Sequence, residues 1–420
     1  MASIVLSFVG NQDPFGSKTG EGSLVSLVRF LVEQGKEIKK VVLIYTEGAS
    51  GTSAGAIETK DWLLEELGID DDAVRLISVS KQLSDDPTDL FEAAQEARRG
   101  LDLAQFSVGD GDRIELNASS GTPAMKYSFT LLQAAGYIVN GQVWQVRDPQ
   151  KMKEGQKRVF ETDGSVLRRE FDRKVIRKQV ENCNYAGALE SLRFSSLASA
   201  NAIALLEYGR CRIAFDFDSA FDQIQLITNQ VPQQLLQEIA DLRQRRLDAI
   251  AKELYFNALI RYRNREFSEF LVLLTQFQEC VLGLLIQRKL NLELPSNHQE
   301  TRHFWDRLKI VDGGQPYQTL LVSYQRRGWT FVAESFPKRP HLIGILEHYA
   351  DIAQVMVLLR DFNEYCEQRN RRVHRFEGVS EIENGLELMA KLKKLIRMLI
   401  SLPNENPFDL LNQQIYELIG

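Results

Sequence analysis

The first 150 residues alternate short apolar runs with helical patterns, and this alternation constrains the fold more than any other feature of the sequence. The apolar runs lie at 3–9, 40–46, 73–79, 113–117 and 142–147. Several are rich in Val and Ile and lack strict apolar–polar alternation, which is typical of strands buried on both faces. Because helical patterns separate these runs, the sequence predicts a parallel, Rossmann-like α/β sheet.

Capping residues define the predicted helices between these strands. Four helices are expected: one from Gly22 to Gly35, one from about Ala54 to Gly68, one beginning at Asp86-Pro87-Thr88-Asp89 with Asp86 as N-cap, and one from Thr122-Pro123 to Gly136. The segments QVWQVRDP and KRVFETDG predict a closing β-hairpin.

After about Gly164 strand-like runs nearly vanish, and the remainder of the chain is predicted to be all-α. We divide it into an intermediate helical region at 165–290 and a terminal helical domain at 291–420. The proline- and glycine-containing stretch 291–342 is predicted to be a long insertion or loop. Apolar residues at a helical spacing then predict one continuous helix through Ile345, Tyr349, Ile352, Met356 and Leu359.

Charge is unevenly distributed along the chain. Residues 1–150 carry 13 basic and 22 acidic side chains, whereas 151–420 carry 38 basic and 35 acidic ones. The second part is therefore the better candidate to meet a polyanion. The four cysteines form no CxxC pair and predict buried free thiols, and we expect neither a secretory signal nor a membrane-spanning segment.

Three loops rich in small polar residues follow predicted strands: 10–16, 47–55 and 117–126. Loops at the carboxyl ends of parallel strands meet at one edge, where ligands bind in open α/β sheets. The start of a helix at Thr122-Pro123 offers free N–H groups to a phosphate, and Lys126 lies one turn further on the same face. We therefore expect an anionic ligand here. There is no G-x-G-x-x-G after the first strand and no Walker A motif, which disfavours a dinucleotide or nucleoside triphosphate.

The segment RNRRVH (369–374) is the one motif of the helical part with catalytic potential, and we expect it to follow a long helix. It offers a guanidinium, an amide and an imidazole, which are groups that metal-free RNA cleavage uses to move protons and to stabilise the phosphorane. No metal constellation is recognisable in the sequence, since the histidines include no HExxH and the cysteines lack zinc spacing. An exposed basic helix end is the simpler alternative.

Taken together, these features resemble the CRISPR-associated CARF–HEPN ribonucleases, the ancillary effectors of type III CRISPR systems. The resemblance rests on the small-residue loop after the first strand, on NASSGTPAMK after a later strand, and on RNRRVH in the helical part. It implies an α/β Rossmann-like N-terminal CARF sensor domain at 1–164, followed by an all-α C-terminal region with a HEPN-like ribonuclease domain at 291–420. Pro123 departs from the expected pattern and removes one backbone donor.

The resemblance also implies an activity and its residues. It implies a cytoplasmic homodimer that binds a cyclic oligoadenylate, with the tetraadenylate favoured over the hexaadenylate, and that cleaves single-stranded RNA without a metal or other cofactor. The catalytic group is expected to comprise Arg369, Asn370 and His374, with the basic residues Arg371, Arg372 and Arg375 as RNA contacts or solvated surface. The expected ligand-binding residues are Gly10, Asn11, Asp13, Ser119, Ser120, Gly121, Thr122 and Lys126.

Two other functions remain open at this point. A non-enzymatic regulator would use the same sensor to control a helical partner- or DNA-binding module, and it would not need Arg369 or His374. A ligand-activated, metal-dependent DNA nuclease would require a carboxylate cluster that the sequence does not show. Whether the sensor also degrades its own activator is not determined by sequence.

Overall fold

The computed structural model describes residues 2–16, 20–109, 111–138, 140–162, 164–227, 229, 231–332, 335–375 and 378–420. For Cys366 and for residues 368–375 it describes the backbone alone. The chain forms two compact units, Met1–Phe171 and Asp172–Gly420, and the division falls within one helix.

The first unit contains one six-stranded sheet and a small hairpin. Its strands are β1 (Ala2–Phe8), β2 (Phe15–Gly16), β3 (Gly20–Glu21), β4 (Glu37–Tyr45), β5 (Val74–Ser78), β6 (Arg113–Asn117), β7 (Gly141–Val146) and β8 (Val159–Thr162). The order across the sheet is β5-β4-β1-β6-β7-β8, and every pairing is parallel except β7 with β8. The predicted Rossmann-like sheet and closing hairpin are confirmed. The β2–β3 hairpin was not predicted.

Helices cover both faces of this sheet. They are α1 (Ser23–Glu33), α2 (Ser53–Leu67), α3 (Lys81–Asp85), α4 (Leu90–Gln105) and α5 (Pro123–Ala134). Helices α1 and α2 pack on one face of the central strands, and α4 and α5 pack on the other. This burial on both faces explains why the strands consist of unbroken apolar runs.

The start of α4 corrects one prediction. Asp86 does not cap this helix, because its carboxylate accepts hydrogen bonds from the backbone N–H and the hydroxyl of Thr88. The N-cap is Asp89, whose side chain accepts from the N–H groups of Phe91 at 2.8 Å and Glu92 at 3.1 Å. Both aspartates suit a cap by residue type, and the structure uses the one next to the apolar run.

The second unit is helical. Its helices are α6 (Ser165–Glu181, shared with the first unit), α7 (Tyr185–Arg193), α8 (Ala200–Ile213), α9 (Phe217–Gln225), α10 (Gln233–Arg243), α11 (Leu247–Arg263), α12 (Phe267–Leu290), α13 (His298–Leu308), α14 (Gln315–Arg326), α15 (Arg339–Leu346), α16 (Ala353–Arg375), α17 (Gly385–Leu399) and α18 (Pro407–Ile419). One hydrophobic core runs through them, with α12 packed on α15 and α16. No division of this core appears at residue 290.

Two predictions about this unit are wrong. The stretch 291–342 is not a loop, because it contains α13, α14 and the start of α15, with Pro316 and Pro340 in the first turns of α14 and α15, where proline is tolerated. The apolar stripe from Ile345 to Leu359 is not one helix. Helices α15 and α16 meet there at a 115° bend, with a 3₁₀ turn at Ala350–Ile352.

Helix α12 has the length and composition of a membrane span, with a mean hydropathy of 1.6. However, 67% of its most apolar stretch is buried among other helices. Phe270, Phe277 and Leu285 are among its core residues. The helix therefore serves as the central core element of the second unit.

Candidate functional site

A cavity of about 350 Å³ opens at the carboxyl edge of the sheet. Strands β1 and β6 are neighbours at this edge, and the chain continues from them to helices on opposite faces of the sheet. Such a position is a topological switch point, where open α/β sheets bind ligands. The lining of the cavity comprises Val9, Gly10, Asn11, Gln12, Asp13, Ser23, Thr46, Ser50, Thr52, Pro87, Ser119, Ser120, Gly121, Thr122, Met125 and Lys126. All eight residues predicted to contact a ligand lie in this lining.

The loop after β1 and the loop after β6 touch directly at this cavity. A Cβ atom on Gly10 would lie 2.9 Å from both the backbone nitrogen of Gly121 and the hydroxyl of Ser120. Gly121 itself has a φ of 88°, which favours glycine. The two glycines therefore allow a close approach of the loops that any side chain would prevent.

Asp13 holds this corner of the cavity together. Its carboxylate accepts hydrogen bonds from the N–H of Gly10 at 3.0 Å, from the N–H of Leu24 at 3.2 Å and from the hydroxyl of Ser120. Burial raises the pKa of Asp13, and these hydrogen bonds together with the charge of Lys126 partly offset that rise. With three protein donors on its oxygens, Asp13 positions the loops, and it is poorly suited to contact a ligand directly.

The three hydroxyls of the loop after β6 differ in whether a hydrogen-bond donor remains for a ligand. Ser120 donates to Asp13, and Thr122 donates to the carbonyl of Pro87 at 2.6 Å. Ser119 instead accepts a hydrogen bond from the N–H of Val146 at 2.7 Å. Of these three hydroxyls, only that of Ser119 keeps its proton available to a ligand oxygen.

Lys126 supplies positive charge to the cavity. It lies in the first turn of α5, whose N-cap is Thr122, and its side chain is half-buried. It is the one basic residue among the described residues of the lining, and no ion pair involves it in the described part of the chain. An ammonium group that forms no ion pair and lies beside a helix N-terminus favours an anion.

Several lining residues were absent from the predicted ligand set. Thr46 and Thr52 each donate a backbone N–H to the other's hydroxyl at 3.1 Å, which closes the loop after β4 beside the cavity. Pro87 enters from the segment after β5, and Met125 from α5. The expectation that ligands bind at the carboxyl ends of parallel strands indicated the loop after β4, but it did not identify which residues of that loop line the cavity.

The proposed catalytic residues Arg369, Asn370 and His374 lie in the last turns of α16. The prediction that the motif follows a long helix is therefore wrong, since the helix continues through it to Arg375. The side chains of all three, and those of Arg371, Arg372 and Arg375, lie outside the described residues. Among the residues that are described, no group of three His, Cys, Asp or Glu side chains is placed to hold a metal ion.

Comparisons with known proteins identify a fold relative. No protein-family model matches the chain. No curated protein sequence matches it either. Among solved structures, Csm6 from Enterococcus italicus, bound to cyclic hexa-2'-fluoro-hexa-dAMP, superposes with a TM-score of 0.69 at 16% sequence identity. The match covers 100% of both chains. The chain therefore has a Csm6-like fold along its whole length, and the resemblance to CARF–HEPN proteins is confirmed at the level of the fold.

Proposed function

We propose that this protein is a cytoplasmic, cyclic-oligoadenylate-activated endoribonuclease of type III CRISPR defence. The observation that carries the proposal is the cavity at the β1/β6 edge, which gathers all eight predicted ligand residues within a Csm6-like fold. A fold alone does not specify a function, so the chemistry of the two sites must support each step.

The cavity suits a phosphate-containing ligand. The half-buried ammonium of Lys126, the hydroxyl of Ser119 and the N-terminus of α5 lie at its wall and can donate to phosphate oxygens. Small residues such as Gly10 and Gly121 let the ligand approach the backbone. The fold relative is bound to a cyclic hexaadenylate analogue, which supports the class of ligand.

The size of the cavity supports a homodimer. A volume of about 350 Å³ is at the small end for ligand sites, and a ring of four or six adenylates exceeds it. Two copies related by a two-fold axis would present two such cavities to a ring that carries its own rotational symmetry. We therefore expect the activator to lie between two sensor domains.

The nuclease step is assigned to the end of α16. His374 would transfer the proton of the 2′-hydroxyl, Arg369 would stabilise the charged phosphorane, and Asn370 would orient the phosphate. Five residues of α-helix separate positions 369 and 374 by roughly 140° around the helix axis. A composite site, in which two copies of the motif face one RNA strand, is the arrangement we propose. In this step the 2′-oxygen bonds to phosphorus, the bond from phosphorus to the 5′-oxygen of the next nucleotide breaks, and that oxygen takes up a proton and leaves as a 5′-hydroxyl. The products are a 2′,3′-cyclic phosphate and a 5′-hydroxyl end, and the step requires no metal.

The test is RNA cleavage by the purified full chain with a panel of cyclic oligoadenylates, with and without EDTA. We expect cleavage of labelled single-stranded RNA only when a ring is added, unchanged by EDTA. The family resemblance favours the tetraadenylate as the activator, whereas the fold relative is bound to a hexaadenylate analogue, so the panel includes both rings. Ring binding without cleavage would favour the non-enzymatic regulator, and a strict requirement for a divalent ion would exclude the proposed chemistry.

A further inference from the structure

Two turns between helices meet in the second unit and are joined by hydrogen bonds. The α6–α7 turn contains Cys183 at a φ of 55°, and the α11–α12 turn contains Arg265 at a φ of 61°. Arg263 donates to the carbonyl of Glu181 at 2.8 Å, and Asn264 donates to the carbonyl of Asn182 at 2.7 Å. These bonds satisfy backbone carbonyls at the end of α6 and fix one turn against the other.

A groove lies along these two turns, here called the turn groove. It consists of two neighbouring cavities of about 770 and 570 Å³ that share Arg263 and Arg265. The basic residues of its lining are Lys178, Arg210, Arg261, Arg263 and Arg265, and the acidic ones are Glu181, Glu266 and Glu381. The lining therefore carries a net positive charge, in a chain whose overall charge is −6.

Three of the five cations in the turn groove can contact a phosphate at little cost, because their carboxylate partners are exposed or absent. Lys178 pairs with Glu181 at 2.9 Å, and both side chains are more than half exposed. Arg263 lies 3.8 Å from the exposed carboxylate of Asp409. Arg265 is exposed and has no ion pair in the described part of the chain. Exposed pairs of this kind stabilise a protein little, so exchanging a carboxylate for a phosphate costs little.

Aromatic rings accompany the charges. Tyr262 and Phe267 line the second cavity, are half-buried, and lie edge to face with ring centroids 5.8 Å apart. Basic side chains interleaved with partly exposed aromatic rings are the usual combination in proteins that bind single strands, where arginine contacts phosphates and bases stack on rings.

The turn groove leads toward the end of α16. The lining of its second cavity includes Ser380, Glu381 and Ile382. Directly after these residues, the backbone carbonyl of Glu383 accepts a hydrogen bond from the hydroxyl of Tyr365 at 3.3 Å. Tyr365 is one turn before Arg369 on the same helix. A strand bound in the groove therefore passes close to the helix that carries the catalytic motif.

We propose that the turn groove binds the single-stranded RNA substrate, with Arg263 and Arg265 on its phosphates and Tyr262 or Phe267 against a base. This inference rests on the proposed ribonuclease function, and it identifies where the chain holds RNA outside the catalytic motif. Arg265 is the residue to test, because it lines both cavities. Its side chain forms no ion pair among the described residues, so its substitution breaks none there.

The test is the salt dependence of binding to a short fluorescein-labelled 2′-O-methyl RNA, which has no free 2′-hydroxyl and is not cleaved. Arg265→Gly removes the charge and suits the left-handed backbone, so the protein should fold normally. We expect severalfold weaker binding and a log–log salt slope reduced by about 0.7, the value for one phosphate contact. Arg265→Lys should retain most of the slope. Arg302→Ala, an exposed arginine on α13 outside the groove, is the matched control.

Binding of Arg265→Gly with the wild-type affinity and slope would overturn the proposal, and so would an equal loss in Arg302→Ala or the absence of RNA binding in the wild type. Failure of the ribonuclease function is a separate result. In that case the wild-type protein binds 2′-O-methyl RNA through Arg265 but cleaves no unmodified RNA with any cyclic oligoadenylate.

Discussion

The cavity at the sheet edge of the first unit and the turn groove of the second unit are both lined by loops, but they are assembled differently. At the sheet edge, neighbouring strands deliver their loops to one place, and the buried carboxylate of Asp13 joins two of them. In the turn groove, segments 82 residues apart are joined through Asn264 and Asn182. Strand order determines the first site, whereas the packing of distant helices determines the second.

The two sites also use charge differently. The sheet cavity contains one lysine and a buried aspartate that is satisfied by hydrogen bonds, which suits a small ligand held in a defined position. The turn groove has five basic side chains, of which Lys178 and Arg263 have exposed carboxylate partners and Arg265 has no ion pair among the described residues, which suits a flexible polyanion that binds with little sequence preference. Sensing and substrate binding should therefore respond to different substitutions.

The largest effect is expected at His374, and it separates catalysis from sensing. His374→Ala removes the proposed proton shuttle and should slow cleavage of labelled RNA at saturating activator by at least about 100-fold. The affinity for the activator should remain at the wild-type value. His303→Ala is the matched control, because His303 is an exposed histidine on α13. Wild-type activity in His374→Ala would remove the end of α16 from the mechanism.

A smaller effect is expected in the sheet cavity. Lys126→Ala removes the one cation among the described lining residues and should weaken activator binding roughly tenfold or more, since a hydrogen bond to a charged group contributes about 1.5–3 kcal/mol. Isothermal calorimetry measures this affinity directly. Lys81→Ala, an exposed lysine outside the cavity, should bind as the wild type does. Equal affinities for all three proteins would show that the ligand binds elsewhere.

The smallest effect concerns stability and pH. The pKa of Asp13 is raised by burial above its ordinary value of 3.8, so the folded state disfavours its charged form relative to the unfolded state. Stability should therefore increase in the wild type relative to Asp13→Asn as pH falls through the raised pKa, and level off below the unfolded value. Urea unfolding of both proteins over this pH range measures the difference. A wild-type advantage that instead shrinks as pH falls would contradict the assignment of Asp13 as a desolvated carboxylate.

Sequence reasoning succeeded where local rules determine structure. Unbroken apolar runs identified the sheet strands, Thr122 and Gly68 were recognised as helix boundaries, and parallel strand ends brought Gly10 and Lys126 to one cavity. Glycine and proline are loop signals, but they also occur at the ends of helices. The prediction of a loop at 291–342 is wrong for this reason, because its prolines lie in the first turns of α14 and α15.

The failures arose where tertiary packing decides. The spacing from Ile345 to Leu359 is helical, yet a sharp bend lies inside it, because both arms bury their apolar side chains in one core. The turn groove was not predicted at all, since nothing local indicates that Cys183 and Arg265 belong to adjoining turns. Residues with positive φ that are not glycine carry only a weak signal in sequence.

The central claim is that the sheet cavity controls a nuclease elsewhere in the chain. It is tested most directly by titrating cyclic oligoadenylate into RNA-cleavage reactions of the wild type and of Lys126→Ala. If the cavity is the sensor, the midpoint of activation shifts to higher ligand concentration in the variant, while the maximal rate at saturation changes little. An unchanged midpoint with a reduced maximal rate would contradict this account, because Lys126 would then act in catalysis or folding and not in ligand binding.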